Sequence, residues 1–298
     1  MHLDVGSWFA AAIDWLLANF GWFFDAVSWL VNLLVGDVAN VLVGLHPFLV
    51  IAVLAAVAAA LTRSLGLTIF SILAFLLIVS MGLWVEAMST LAVVLVSVVF
   101  SLAIGIPLGI WAALNSTVSA VVRPVLDLMQ AMPVFVYLIP AVFFFGVGMV
   151  PGIAATIVFA VPPAVRLTEL GIRKLDAELL EAAQAFGARR DLILKDVQLP
   201  LAFPSIMAGV NQVIMLALSM VVVAGLVGAG GLGGVVVQGV AQLDTARGFE
   251  GGIAVVILAV YLDRVTSGAQ SFGEVLRRRR TRKEQRAAAS ASVPAAAN

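Results

Sequence analysis

Long apolar runs follow one another along this chain of 298 residues, and the feature that most limits its fold is the one long polar interruption among them, from Leu170 to Pro200. It reads LGIRKLDAELLEAAQAFGARRDLILKDVQLP and carries five basic and five acidic residues. Charged side chains find no partners in hydrocarbon, so a segment of this length between two membrane-buried spans must lie outside the lipid, where it is free to meet another protein. The rest of the composition sets the solvent. With 62% hydrophobic and 11% charged residues and a mean hydropathy of +1.12, the chain is far from the balance of a soluble domain and reads as an all-α integral membrane protein.

Residues 1–45 form no clean span. Trp8, Phe9, Trp15, Phe20, Trp22, Phe23, Phe24 and Trp29 alternate with Asp14, Asp25 and Asp37, a pattern suited to amphipathic helices lying in the headgroup boundary. The alternative is one further span near 26–45, which Asp37 and Asn40 make costly without forbidding it. Residues 46–85 read as a two-helix hairpin, one run from Pro47 to Leu61 closed by Arg63 and a second from Leu65 to about Trp84. A core follows over 86–268, with spans near 91–114, 129–147, 150–165, 206–227 and 251–262, so that about seven helices are expected to cross roughly 30 Å of hydrocarbon. Gly105, Pro107 and Gly109 mark where the third span can bend or approach a neighbour closely. The tail, 269–298, is basic and alanine-rich and is expected to be disordered.

The basic residues orient these spans. No Lys or Arg precedes Arg63, whereas seven crowd between Arg277 and Arg286. Because cytoplasmic flanks are enriched in such residues, the C-terminus, Arg63, Arg123 and the whole 170–200 segment are expected inside, with the N-terminus and the 228–249 link outside. Arg247 is the lone exception. The arginine run is most simply a topology anchor, although each basic group beside an anionic leaflet adds about 1 kcal/mol of attraction. The N-terminus has no basic n-region, so no cleaved signal peptide is expected.

Chemistry on the chain itself is sparse. The two histidines are His2 and His46 and there is no cysteine, so no catalytic constellation and no metal site is expected. Nothing matches the phosphate-binding pattern G-x-x-x-x-G-K-[ST], so any nucleotide energy must come from another subunit. Glu86, Asp127, Arg166, Glu169, Asp263 and Arg264 sit near span ends and read as boundary anchors. That scarcity weighs against an ion-coupled carrier. Asp127 alone lies where it could line a cavity. Phe135 and Tyr137 are candidate pathway residues, with lipid-facing packing as the alternative. Membrane lipids are expected partners; nucleic acid is not.

Within the polar stretch, Asp176 can cap a helix over AELLEAAQAF, and Gly187 can end it in a left-handed conformation. Ala182, Ala183 and Ala185 leave one face almost free of bulk, which permits close docking, with Arg173, Lys174, Arg189, Arg190 and Lys195 at the rim. An ordinary solvated helix has the same local physics. The spacing Glu181-Ala182-Ala183, three residues, Gly187, nine residues, then Val197-Gln198-Leu199-Pro200 resembles the EAA signature of ABC importer permeases, departing from it only in Val197 for isoleucine. Similarity extends from about Glu86 to Leu262, through MPVFVYLIP (Met132–Pro140), LPLAFPSIMAGVNQVIMLALSMVV (Leu199–Val222) and GAGGLG (Gly228–Gly233), and is nearest to the proline/glycine betaine type.

That resemblance implies a type I importer permease core of five helices. Glu181, Ala182, Ala183 and Gly187 would dock on a separate ATPase, which carries the ATP and Mg, while Leu199 and Pro200 fix the return to the membrane. It also implies a second permease copy and a separate substrate-binding protein, in the plasma membrane of a prokaryote. The expected cargo is a compatible solute such as glycine betaine or proline betaine, with choline, carnitine, ectoine or taurine as alternatives. Gly228, Gly230, Gly231 and Gly233 are a candidate outer gate, or else a plain packed turn. An ion-driven secondary carrier remains the reading from another class.

Overall fold

The computed structural model describes the backbone of residues 4–291, and side chains as far as Ala269 apart from Val5 and Ala182. Every regular element among the described residues is helical. The central piece is α4 (Trp84–Leu114), α7 (Met149–Arg173) and α10 (Leu199–Leu226). α4 and α7 run parallel, because Ala92 meets Ile153 at one end and Gly109 meets Thr168 at the other. α10 runs antiparallel to α7, with Gly152 against Ala224 and Gly171 against Ala202 and Ser205.

Small residues make this possible. A methyl group at Gly105 would stand 2.5 Å from the Ala164 Cβ, and one at Gly109 would stand 2.7 Å from both the Val165 carbonyl and the Thr168 Cβ. Lipid supplies no hydrophobic drive between helices, so close van der Waals contact must hold them together, and a Gly-x-x-x-Gly pair on α4 provides it. The large apolar side chains left exposed, Val99, Trp111 and Phe249 among them, are what a bundle solvated by lipid presents.

Each expected span has a helix under it. The hairpin is α2 (Pro47–Thr62) and α3 (Leu65–Ser80), turned by Arg63 in the left-handed region (φ 53°) and by the Ser64 hydroxyl, which caps α3 at Leu67 N. α12 (Thr245–Ala291) closes the bundle; its Tyr261 hydroxyl donates to the Leu54 carbonyl of α2 at 2.9 Å. Among the described residues, five helices are long and apolar enough to cross a membrane, six with one bent pair counted.

That bent pair is the first departure from the expected plan. The span near 129–147 is not straight: α5 (Ser116–Ala131) and α6 (Val134–Phe145) are bent by 97°. Met132 takes an extended conformation (φ −72°, ψ 134°), which the ring of Pro133 imposes on the residue before it. Secondly, the glycine-rich link contains a helix, α11 (Gly231–Ala241), seated through Leu232 and Val235. Thirdly, the basic tail expected to be disordered continues as helix to Ala291, its Arg, Lys, Glu and Ala being good helix formers; residues 292–298 lie outside the described residues.

The N-terminal segment also differs in form. It is α1 (Val5–Gly44), two helices joined across a kink at Phe20, and the second of them packs on the bundle. Val31 and Val35 are buried against Ala92 and Val96 of α4 and Val150 and Ile153 of α7, and Phe24 stacks on Phe144 of α6 with ring centroids 4.5 Å apart. All these contacts fall toward the N-terminal ends of α4 and α7. α1 is therefore fastened to the bundle at the end away from the polar stretch. Trp8, Trp15, Trp22 and Trp29, seven residues apart, are all exposed on its other side.

Candidate functional site

The polar interruption folds as anticipated into a helix and a turn. α8 (Ala177–Ala185) begins four residues after α7 ends at Arg173. Gly187 has φ +78°, a left-handed conformation, and its N–H donates to the Gln184 carbonyl at 2.8 Å while Ala188 N–H reaches Ala183 O at 3.1 Å. These bonds close the last turn and reverse the chain. A short helix, α9 (Arg190–Leu192), and a π-helical turn over Ile193–Gln198 then lead into α10 at Leu199. One extra residue per turn re-aims the chain before it enters the long helix.

The geometry of α8 is that of an element standing clear of its own bundle. Glu181 and Gly187 are exposed, Ala183 is half-buried, and nothing lies within 4 Å of where a Gly187 side chain would start. The Ala182 side chain lies outside the described residues. Leu199 and Pro200 are half-buried at the mouth of α10. One residue of this surface went unremarked in the sequence. Phe186 is 93% exposed, a large aromatic at the tip of a small-residue helix. The signal was available: a single bulky apolar side chain between Ala185 and Gly187, in a segment already placed in water.

The candidate gate has a definite structure. Gly228, Gly230 and Gly231 have φ of +84°, +70° and +59°, so the link between α10 and α11 uses a conformation that side-chain-bearing residues rarely adopt. It is pinned to α4: Leu232 N–H donates to the Thr90 hydroxyl at 2.8 Å, and that hydroxyl donates in turn to the Glu86 carbonyl at 2.7 Å. Gly233 lies directly against the Val221 carbonyl. Gly148 N–H, from the α6–α7 turn, donates to Val227 O at 2.8 Å. The link is thus a packed junction of α4, α7, α10 and α11.

The three candidate pathway residues are not brought together. Phe135 is exposed and, with Leu138, Ile139, Val142, Phe143, Leu226 and Val227, lines an apolar groove of about 330 Å³. Tyr137 points the other way into a buried cluster with Leu138, Ala155 and Met220, 6.4 Å from the Phe159 ring centroid. Asp127 lies one element back on α5, paired with Arg166 of α7. It does line a cavity, of about 330 Å³, shared with Arg123, Arg166, Glu169, Leu170 and Arg173.

Glu169 in that cavity is more than a boundary anchor. Its side chain is 5% exposed; one oxygen accepts from Ser119 Oγ at 2.7 Å and Arg123 Nη2 at 2.9 Å and forms an ion pair with Arg173 Nε at 3.0 Å. Arg173 Nη2 donates also to the Ala112 carbonyl near the end of α4, at 2.8 Å. The i,i+4 relation of Glu169 to Arg173 is visible in sequence. Ser119, Arg123 and Ala112 are distant in sequence, and folding alone brings them there. Among the described residues, no group of three or more His, Asp or Glu is placed to hold a metal ion.

Comparison with known proteins places this geometry. Residues 105–271 match the family described as binding-protein-dependent transport system inner membrane component. The chain is 48% identical over 256 residues to the glycine betaine transport system permease protein OpuAB of Bacillus subtilis (strain 168), covering 85% of this chain and 90% of that one. It is 43% identical over 281 residues to the glycine betaine/proline betaine transport system permease protein ProW of Escherichia coli (strain K12), covering 94% and 78%. Among solved structures it is similar to an inward-facing form of the MetNI methionine ABC transporter, with a TM-score of 0.53 and 26% identity over 64% of this chain and 94% of the matched chain.

Proposed function

Since this chain belongs to the binding-protein-dependent transport system inner membrane components, we propose that it is the permease subunit of an ATP-driven importer whose cargo is a small zwitterion carrying a quaternary ammonium and a carboxylate. Glycine betaine and proline betaine are the members of that class named for its relatives. The observation that carries the reading is α8: a short helix held clear of its bundle between α7 and α10, with Glu181 on it and Phe186 and Gly187 just past its end presented to solvent. An exposed aromatic beside a small-residue face is the composition of a docking anchor. The ATPase subunit binds there and carries the ATP and Mg; a substrate-binding protein delivers the solute at the opposite end; and two permease copies enclose the path. The polar stretch faces the cytoplasm and the N-terminus the outside, as the arginine distribution requires.

Movement of α8 when the ATPases close passes into α7 and α10 as rigid-body displacement of packed helices. The groove along Phe135 and the glycine junction at 228–233 belong to the elements that such a displacement repacks. The test is reconstitution: the permease, its ATPase and its binding protein in liposomes, with labelled glycine betaine outside. Uptake dependent on ATP and on the binding protein supports the reading. Uptake that persists with an ATPase unable to hydrolyse ATP overturns it in favour of an ion-driven carrier. Competition by choline, carnitine, ectoine or taurine orders the solutes.

A further inference from the structure

The Glu169 cluster ties α5 to the closely packed ends of α4 and α7. α5 is the least embedded of them: of its 16 residues, Ser119 and Leu126 are the buried ones. Leu126 packs on Val161 and Val165 of α7. Val122 and Met129 of α5, partly buried, pack against the same cluster, and polar contacts add to this apolar seam. Ser119 and Arg123 reach Glu169, and one turn further along Asp127 pairs with Arg166, so Ser119, Arg123, Leu126 and Asp127 form one stripe. On the α7 side, Glu169 and Arg173 occupy the last turn before the three-residue joint Lys174–Asp176 into α8. Arg173 also grips the end of α4 through the Ala112 carbonyl.

We infer that Glu169, with Arg123 and Arg173, is the positioning clamp that makes α5, and through its 97° bend α6, follow the docking helix during transport. The inference rests on the importer reading above and assigns coupling residues outside the docking loop. A displacement of α8 acts first on the last turn of α7. Apolar contact there, Leu126 with Val122 and Met129 beside it against Val161, Val165 and Ile157, has no preferred direction and permits sliding. The buried carboxylate does not: taking Arg123 away from it removes one of the two cations that compensate a charge held out of water, which costs more than the loss of an exposed pair. The ion pairs therefore keep α5 in register with α7, and α6, which carries Phe135 and the apolar groove, moves with them. The outer pair, Asp127 with Arg166, has side chains 69% and 40% exposed and adds much less.

The experiment uses the reconstituted complex and reads two numbers, ATP hydrolysed and solute imported. Arg123→Gln removes the α5 end of the clamp from an exposed position (58% exposed side chain) and leaves Glu169 bonded to Ser119 and Arg173. The complex is expected to assemble with its ATPase at the wild-type ratio and to hydrolyse ATP within about twofold of wild type, while solute imported per ATP falls at least about tenfold. Arg123→Lys, which retains a cation, is expected to recover most of that ratio. Glu169→Gln is expected to behave as Arg123→Gln; should it fail to assemble, the Arg123 pair of variants decides. An unchanged solute-to-ATP ratio in Arg123→Gln overturns the clamp, as does equal loss in Arg123→Gln and Arg123→Lys. If the wild-type complex does not couple hydrolysis to uptake at all, the importer reading itself has failed, which is a separate outcome.

Discussion

At Gly105 and Gly109 the backbones of α4 and α7 approach until no side chain fits between them. Gly109→Leu is expected to cost about 1–3 kcal/mol through overpacking, read as a lower unfolding temperature of the purified protein and lower yield. The Thr90 hydroxyl serves two partners, accepting from Leu232 N–H and donating to Glu86 O. Its removal in Thr90→Ala leaves a buried N–H unpaired and should destabilise the α4–α11 junction by ~1–3 kcal/mol. Gly231→Val meets both difficulties at once, a positive φ and a contact with the Thr90 hydroxyl. If that variant reaches the membrane at normal levels and imports normally, the 228–233 link has no part in gating. On α8, Phe186→Ala is expected to weaken retention of the ATPase by about tenfold or more, as loss of a buried aromatic anchor does, with permease stability unchanged because Phe186 touches little of its own fold.

Elements differ in how they are held. α7 is gripped along its whole length by α4 and α10, and α8 hardly at all, so a force applied at α8 is delivered to one end of a stiff rod. α1 is held differently again. The stretch Val27, Val31, Val35, Val38, Ala39 and Leu42 packs on α4 and α7, whereas the part before the kink at Phe20 has Trp8 and Trp15 outward and Ile13 buried. Val35→Asp places an unpaired charge in an apolar contact and should cost several kcal/mol, seen as aggregation on size-exclusion chromatography. Truncation before Gly21 should leave the folded core intact by the same measure. At the α5–α6 joint, Pro133→Ala releases the restriction on Met132 and lets the two helices straighten. Uptake should fall with expression unchanged.

For the whole molecule, the bilayer acts as solvent: its outer surface is apolar, its interior is knitted by glycine contacts and a few satisfied polar groups, and α8 is a water-facing projection from it. The importer reading places the energy source on a partner ATPase. Uptake in cells is therefore expected to vanish when the ATPase gene is deleted and to return when it is supplied on a plasmid, a comparison that leaves the permease untouched. Appreciable uptake in the deletion strain would place the driving force in this chain after all.

Solvent and local chain geometry determined what could be read from the sequence alone. Hydrocarbon tolerates no unpaired backbone, so apolar runs had to become helices and the charged stretch had to leave the lipid; Gly187 closed α8 by the left-handed turn expected of it; and the Glu181–Pro200 spacing pointed to the family. What only the tertiary structure decided depends on residues far apart in the chain. Nothing local makes Arg123 the partner of Glu169, or Thr90 the anchor of Leu232. Near Pro133, apolar content alone could not distinguish a straight span from one bent by 97°, because hydropathy averages over residues while a single proline acts on one torsion. The N-terminal aromatics likewise read as separate amphipathic pieces until the valine face of α1 had a surface to meet. Hydrophobic pattern sets where a helix sits relative to its solvent; which helix it touches, and through which side chains, is settled only when every other helix has been placed.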